Sequence, residues 1–162
     1  MIALTLAEIA EALGGRIVRG DPATMQARTD YGDVVIEVRD WLARQAERAR
    51  RGGVAPESIV VDPGFGFAKT PSQNLDLLRR LRELTMLGYP VMVGTSRKST
   101  IGLILGGLPP DERLEGTAAT VALAIAHGAA LVRVHDVREM VRVARVADAV
   151  VRANWPPAQE NG

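Results

Sequence analysis

A rhythm of short apolar runs, each closed by a turn and followed by an amphipathic stretch, constrains this chain more than any other feature. Ser58-Ile59-Val60-Val61-Asp62 is β-branched and stops at Pro63-Gly64, the pattern of a buried parallel strand. Residues 74–87 follow as NLDLLRRLRELTML. Leu75, Leu77, Leu78, Leu81 and Leu84 recur there at helical spacing, with Arg79, Arg80, Arg82 and Glu83 between them. Gly88 stops this helix and Pro90 bars its continuation. Val91-Met92-Val93-Gly94 is the next strand, and residues 115–127 the next helix, apolar nearly all round and so expected to be buried. Leu131 to Val134 is a third strand. Residues 137–153 form a helix with Val141, Val143, Val146, Val150 and Val151 apolar and Arg138, Glu139, Arg142 and Arg145 polar. Upstream, residues 31–51 predict a helix whose apolar stripe is Val34, Val35, Val38, Trp41, Leu42 and Ala46.

The strand starts near 59, 91 and 131 lie 32 and 40 residues apart, the length of a βαβ unit. Right-handed crossovers make such strands parallel. With a weaker strand at Arg16–Arg19, the count is about four βα units of an α/β fold. A length of 162 residues fits one domain. The 20 basic and 19 acidic residues nearly cancel, which gives no footprint for nucleic acid or an anionic membrane. With no cysteine, disulfides and thiolate metal sites are excluded. The apolar start holds Glu8 and Glu11 and no basic region, unlike a secretory signal. The uncharged run 116–132 contains His127, two Thr and two Gly, and reads as helix then strand, not as a membrane span. A cytoplasmic protein is expected.

In parallel α/β architectures the chemistry lies at the C-terminal ends of strands. Each strand here ends in a polar cluster, and three clusters at equivalent positions converge on one pocket. The first is DPGFGFAKT, residues 62–70. Asp62 at a strand end can accept paired hydrogen bonds from an aminopyrimidine edge, and Phe65 and Phe67 offer flat contacts. An ordinary Asp-Pro-Gly turn with two packed aromatics has the same sequence. The second is GTSRKST, residues 94–100, followed by a flexible Gly102. Arg97 and Lys98 with hydroxyls suit an anion or a carbonyl, while a solvated loop capped by Ser96 or Ser99 would look alike. In the third, Arg133 and His135 alternate across Val134 and share one side of the strand. They suit a phosphate, or a structural Arg pair beside a core histidine. His127, beside Gly128, fits a cap on the last turn of its helix.

These motifs, with NLDLLRRL, ERLEGTAATVALAIAHGA and the upstream GDPATMQ and YGDVVIEVRDWL, resemble in order and spacing the dihydropteroate synthases, from about Gly20 to Ala153. The pair SRKS and RVHD favours that family over the related tetrahydrofolate methyltransferases. The resemblance implies part of a TIM-type (β/α)8 barrel, a half of it here, that joins 6-hydroxymethyl-7,8-dihydropterin diphosphate to p-aminobenzoate and releases diphosphate. On it, Asp62 and Lys98 become the catalytic candidates. Asp62 would hold the pterin ring; Lys98 would reach the pterin carbonyl and border the p-aminobenzoate site. Phe67 and Ser99 would line that site, and Lys69 is a further substrate-binding candidate in the first loop. Arg133 and His135 would hold the diphosphate, with Ser96 near. No protein nucleophile is needed. The resemblance also implies a homodimer through the last helices and Mg2+ with the diphosphate. The family's metal-binding Asn lies in a half that finds no match here, so no metal ligand is assigned to this chain.

Two departures stand out. Ala68 occupies a position where the family usually has Gly. The family's first-half motifs are absent, so a non-catalytic pterin- or diphosphate-binding module, or a half-barrel that self-associates, is the alternative expectation. Residues 1–19 look unlike the synthase: Thr5 and Glu8 form a capping box before a short helix ending at Gly14-Gly15. That opening is weakly similar to a Mur ligase that adds D-alanyl-D-alanine. The expected division is therefore 1–19, a synthase-like partial barrel at 20–154, and a frayed tail at 155–162.

Overall fold

The structure, a computed structural model, describes residues 29–153. The capping box and helix expected before Gly15, the strand at 16–19, the division at 19/20 and the tail lie outside the described residues.

Helix α1 spans Val34–Arg51. It starts at Val34 because Asp33 caps it, its carboxylate accepting from the amides of Val35 and Ile36. Glu37 in its first turn and Arg48, Arg50 and Arg51 in its last match the helix dipole. Val34, Val35, Val38, Leu42 and Ala46 are buried, but Trp41 is 53% exposed. The buried stripe advances in steps of four from Val34 to Ala46, and Trp41 lies about 100° round the helix from Leu42.

A 3-10 turn at Pro56–Ser58 leads to the first extended segment, of which only Val61 pairs, bridging to Val91 in parallel. Helix α2 spans Pro71–Arg79 and helix α3 Arg82–Thr85. The single helix expected over 74–87 is therefore two. It begins three residues earlier, because Thr70 and Gln73 form a capping box in front of Pro71. It breaks at Arg80, whose guanidinium is drawn to Asp33 beneath α1 and to Glu83 in α3.

Strand β1 is Met92–Val93, and helix α4 is Ser99–Ile104. A second 3-10 turn at Pro110–Glu112 precedes helix α5, Leu114–Ala126. Strand β2 is Leu131–Val132 and helix α6 is Val137–Arg152. β1 pairs with β2 in parallel, Met92 opposite Leu131 and Val93 opposite Val132. The spatial order is thus Val61, β1, β2, and the architecture is α/β with a parallel sheet. The paired strands are shorter than their apolar runs, because the backbone leaves the ladder for the site loops just beyond Val93.

The core is uneven. Sixteen buried residues make one cluster, mostly from α1, α2, α3 and the extended segments, with Phe65, Ala124 of α5 and Ala129; it includes Leu77, Leu81, Leu84, Val91 and Val93. Fully burying each such side chain is worth roughly 1.5–3 kcal/mol. A second cluster has three buried members, Val121, Ile125 and Met140, between α5 and α6. The expectation that α5 is buried all round is corrected. Its inward face is Thr117, Val121, Ala124 and Ile125, while Leu123 faces out. On α6 only Met140 is buried, and Val146 and Val150 are exposed. Among the described residues, no helix is long and apolar enough to cross a membrane.

Candidate functional site

The chain leaves Val61, β1 and β2 on the same side of the sheet, and the three polar loops start there. In the first, Asp62 accepts the amide of Gly64 at 2.8 Å through one carboxylate oxygen. The other oxygen lies 3.9 Å from Arg133 Nη2, so the first and third strand ends face one another. The two phenylalanines part company. Phe65 is 3% exposed and belongs to the core, which corrects its expected role as a ligand contact. Phe67 is 43% exposed, and Lys98 Nζ stands 3.7 Å from its ring centroid. That stack is a cation–π contact. It needs a glycine beside it: at Gly66 (φ +81°) a Cβ would come within 2.7 Å of Lys98 Cδ.

Lys69 folds back on its own loop, donating to the carbonyls of Gly64 and Phe67 at 3.3 and 3.1 Å. Burial holds its pKa below the usual lysine value, and Asp62 partly opposes that. Ala68 has a φ of +50°, in the left-handed region that favours glycine. The departure noted in the sequence therefore falls where the backbone itself prefers the residue that is missing.

In the second loop Ser96 is buried and Ser99 exposed. Neither caps α4; Lys98 occupies that position without a side-chain bond. Ser96 Oγ instead accepts the backbone N–H of His135 at 3.1 Å and lies 2.9 Å from its ring Nδ1. Arg97 is not a free cation either. Its guanidinium forms two hydrogen bonds with Asp136, tying the second loop to the third. Asp136 is held below the usual carboxylate range by that contact, and Arg97 is raised by it. Gly102 is buried inside α4, where a Cβ would meet the Arg113 guanidinium at 2.5 Å; it is a close-packing residue, not a flexible one.

Arg133 and His135 are both exposed with Val134 half-buried between them, as the alternation predicts. The absent side chain of Gly94 makes room for Arg133, whose Nη2 would otherwise lie 2.8 Å from a Cβ. Lys98 is pushed below the usual lysine pKa by burial first and by Arg133 second, against the pull of Asp62. The structure thus brings Asp62, Phe67, Lys98, Arg133 and His135 to one face, with Ser96 beneath them. Three nitrogen-bearing side chains around one carboxylate suit an anion with a hydrogen-bonding ring beside it. Among the described residues no group of three His, Asp or Glu could hold a metal ion, and this donor set attracts anions. The described residues do not fit a protein-held Mg2+.

Several contributors escaped the sequence reading. Asn74, 1% exposed, accepts the Gly66 amide at 2.7 Å and donates to Thr70 O and Thr100 Oγ1. Its signal was register: Asn74 shares the inward face with Leu77, Leu78 and Leu81. Arg113 donates to the carbonyl of Arg97 at 2.8 Å, supporting the left-handed turn there (φ +59°). His127 does end α5, but its ring bonds the Leu78 carbonyl of α2 at 2.8 Å, not its own last turn. A cleft of about 480 Å³ lies between α3, the end of α5 and the end of α6, near Met86, His127 and Val151, and contains none of the site residues.

A family model described as pterin binding enzyme matches residues 5–135. A dihydropteroate synthase from Synechocystis is 55% identical over 135 residues, covering 83% of this chain and 47% of that protein. The Escherichia coli K12 dihydropteroate synthase is 43% identical over 136 residues, 84% of this chain and 48% of the relative. Among solved structures, dihydropteroate synthase from Thermus thermophilus in complex with 4-aminobenzoate superposes with a TM-score of 0.75 at 48% identity. It covers 80% of this chain and 52% of that one. The same enzyme in complex with 6HMPPP gives 0.75 at 48% identity, over 80% and 51%. The chain spans about half the length of the curated relatives it matches.

Proposed function

This chain belongs to the pterin binding enzyme family, and from that premise we propose that it carries the substrate site of a dihydropteroate synthase. The reaction joins a pterin methylene carbon to the nitrogen of p-aminobenzoate. The C–O bond to diphosphate breaks, diphosphate leaves with the electron pair, and the amine loses a proton. The observation that carries the reading is the facing of Asp62 and Arg133 across the strand ends, 3.9 Å apart, with Lys98 close enough to feel the charge of both.

Asp62 takes the hydrogen-bonding edge of the pterin with its carboxylate, already aimed by the Gly64 turn. Lys98 lies between ring and arylamine, its stem along Phe67 and its charge available to a pterin carbonyl. Phe67 and Ser99 border the arylamine, with Lys69 holding the Phe67 loop from within. Arg133 and His135 meet the diphosphate, where fixed positive charge stabilises the leaving group as its charge develops. Ser96 orients His135 through two contacts. Proximity does the rest: an arylamine held beside an electrophilic carbon needs no covalent enzyme intermediate. Mg2+ enters, on this reading, as a companion of the diphosphate oxygens.

On the same reading the chain forms about four βα units of an eight-stranded barrel, works in the cytoplasm and pairs with a second copy through its last helices. Support for pairing is the exposure of Leu123, Val146, Val150 and Val151 on α5 and α6. The test is to incubate the full chain with the pterin diphosphate, p-aminobenzoate and Mg2+, and to follow diphosphate release and dihydropteroate formation while measuring its mass in solution. Product formation supports the enzyme reading. Pterin binding without product leaves a binding module and overturns catalysis by this chain; neither binding nor product overturns the whole proposal.

A further inference from the structure

We propose that Asn74 is a positioning residue that sets the spacing between the Phe67 loop and the Lys98–Ser99 turn. Its consequence for binding rests on the arylamine pocket proposed above. Asn74 lies in the first turn of α2, 1% exposed, among leucines. Its carboxamide uses three of its four hydrogen-bonding positions. Oδ1 accepts the Gly66 amide at 2.7 Å, one residue before Phe67. Nδ2 donates to Thr70 O at 3.0 Å, which closes the same loop at its far end. Nδ2 also donates to Thr100 Oγ1 at 3.2 Å, and Thr100 is buried two residues after Lys98.

One side chain therefore grips the middle and the far end of the first loop and the start of α4. The Lys98–Phe67 stack forms where those segments meet, and its tolerance is small. The Lys98 stem passes so close to Gly66 that a single methyl group would collide with it. Asn74 is itself buried, so losing its amide frees the Gly66 N–H and leaves the buried Thr100 hydroxyl without this partner, which loosens the loop. Arg133 and His135 hang from a different set of ties, Ser96 and the Arg97–Asp136 pair. Asn74 should consequently govern one part of the site and not the other.

The test compares the full chain with N74L, which keeps the branching at Cγ and lacks the amide, and T100V, which cuts only the tie to α4. Proton NMR reads the Lys98 ε-methylene, which the Phe67 ring shifts upfield; F67L identifies the signal by abolishing the shift. Calorimetry reads p-aminobenzoate and inorganic diphosphate separately. In folded N74L the upfield shift should vanish, p-aminobenzoate should bind about tenfold more weakly, the scale of one well-made hydrogen bond, and diphosphate affinity should be unchanged. T100V should lose part of the shift. An intact shift in N74L, or equal weakening toward both ligands, overturns the proposal. If N74L does not fold, an unchanged shift in T100V overturns it. If the unaltered chain binds neither ligand, the functional reading falls and the NMR shift alone decides the role of Asn74.

Discussion

The loops after Val61 and β1 rest on the large cluster of sixteen buried residues; the loop after β2 rests on Val121, Ile125 and Met140. The first two loops are also braced from inside, by Asn74 and Thr100 and by the Thr95–Thr120 hydroxyl pair. The third, with Arg133 and His135, is held to its neighbour by Ser96 and by the Arg97–Asp136 pair. The proposed contacts with a flat ring and an arylamine thus fall on the part of the molecule with the larger core. The proposed diphosphate contacts fall on a part whose geometry is borrowed through polar ties. An anion tolerates that better than a ring does, because charge attraction is less directional than stacking and paired hydrogen bonds.

The largest effects should separate the two clusters. Leu84→Ala should cost about 4 kcal/mol in urea unfolding and Met140→Ala about 2 kcal/mol, toward the upper and at the lower end of the range for large-to-small core changes. Equal costs would erase the distinction. Next come the ligand contacts. Lys98→Ala should weaken p-aminobenzoate or pterin binding, and Arg133→Ala diphosphate binding, each by about 1.5–3 kcal/mol, the worth of a hydrogen bond to a charged group. Unchanged affinity for both ring ligands in Lys98→Ala would remove that lysine from its assigned place.

The depressed pKa of Lys98 sharpens this further. In the free chain Lys98 loses its proton below the ordinary lysine value of 10.5. Anion binding favours the charged form, so binding should take up a proton in the window between the lowered pKa and that of the complex. Affinity should be flat below that window and fall as pH rises through it. In the same chain the unfolded lysine keeps its proton longer, so this group's contribution to stability rises with pH there. Calorimetry in buffers of different ionisation enthalpy checks the proton uptake; Lys98→Ala should abolish it.

Smaller effects follow. Ala68→Gly should stabilise the chain by about 1 kcal/mol, since a side chain in the left-handed region costs roughly that much. A destabilised variant in thermal unfolding would mean that the turn tolerates its alanine. Val150→Ser on exposed α6 should change stability by less than about 0.5 kcal/mol in a monomer. A large loss that depends on protein concentration would instead mark α6 as an interface and support pairing.

Much of this was legible in residue order, for identifiable reasons. Helical periodicity located α1, α5 and α6 to within three residues, because their buried faces are apolar. The strand ends were legible because Pro63, Gly64 and Gly94 interrupt β-branched runs. What could not be read was the fate of side chains decided by a distant partner. Phe65 and Phe67 are two residues apart in one loop, yet one enters the core and the other carries Lys98. Arg97 reads as a free cation until Asp136 arrives from the next strand end. Asn74 reads as the polar start of a helix until its neighbours in space are known. Arg80 interrupts a continuous leucine pattern where its guanidinium meets Asp33, a partner 47 residues away, as well as Glu83.

The central claim is that the three strand ends form one anion-and-ring site, and calorimetric titration of the full chain with 6-hydroxymethyl-7,8-dihydropterin diphosphate tests it most directly. The unaltered chain should bind, Arg133→Ala should bind roughly tenfold or more weakly, in line with losing a charged hydrogen bond, and Asp62→Asn should also weaken the ring contact. Binding that neither substitution alters, or no binding by the correctly folded chain, would contradict the account.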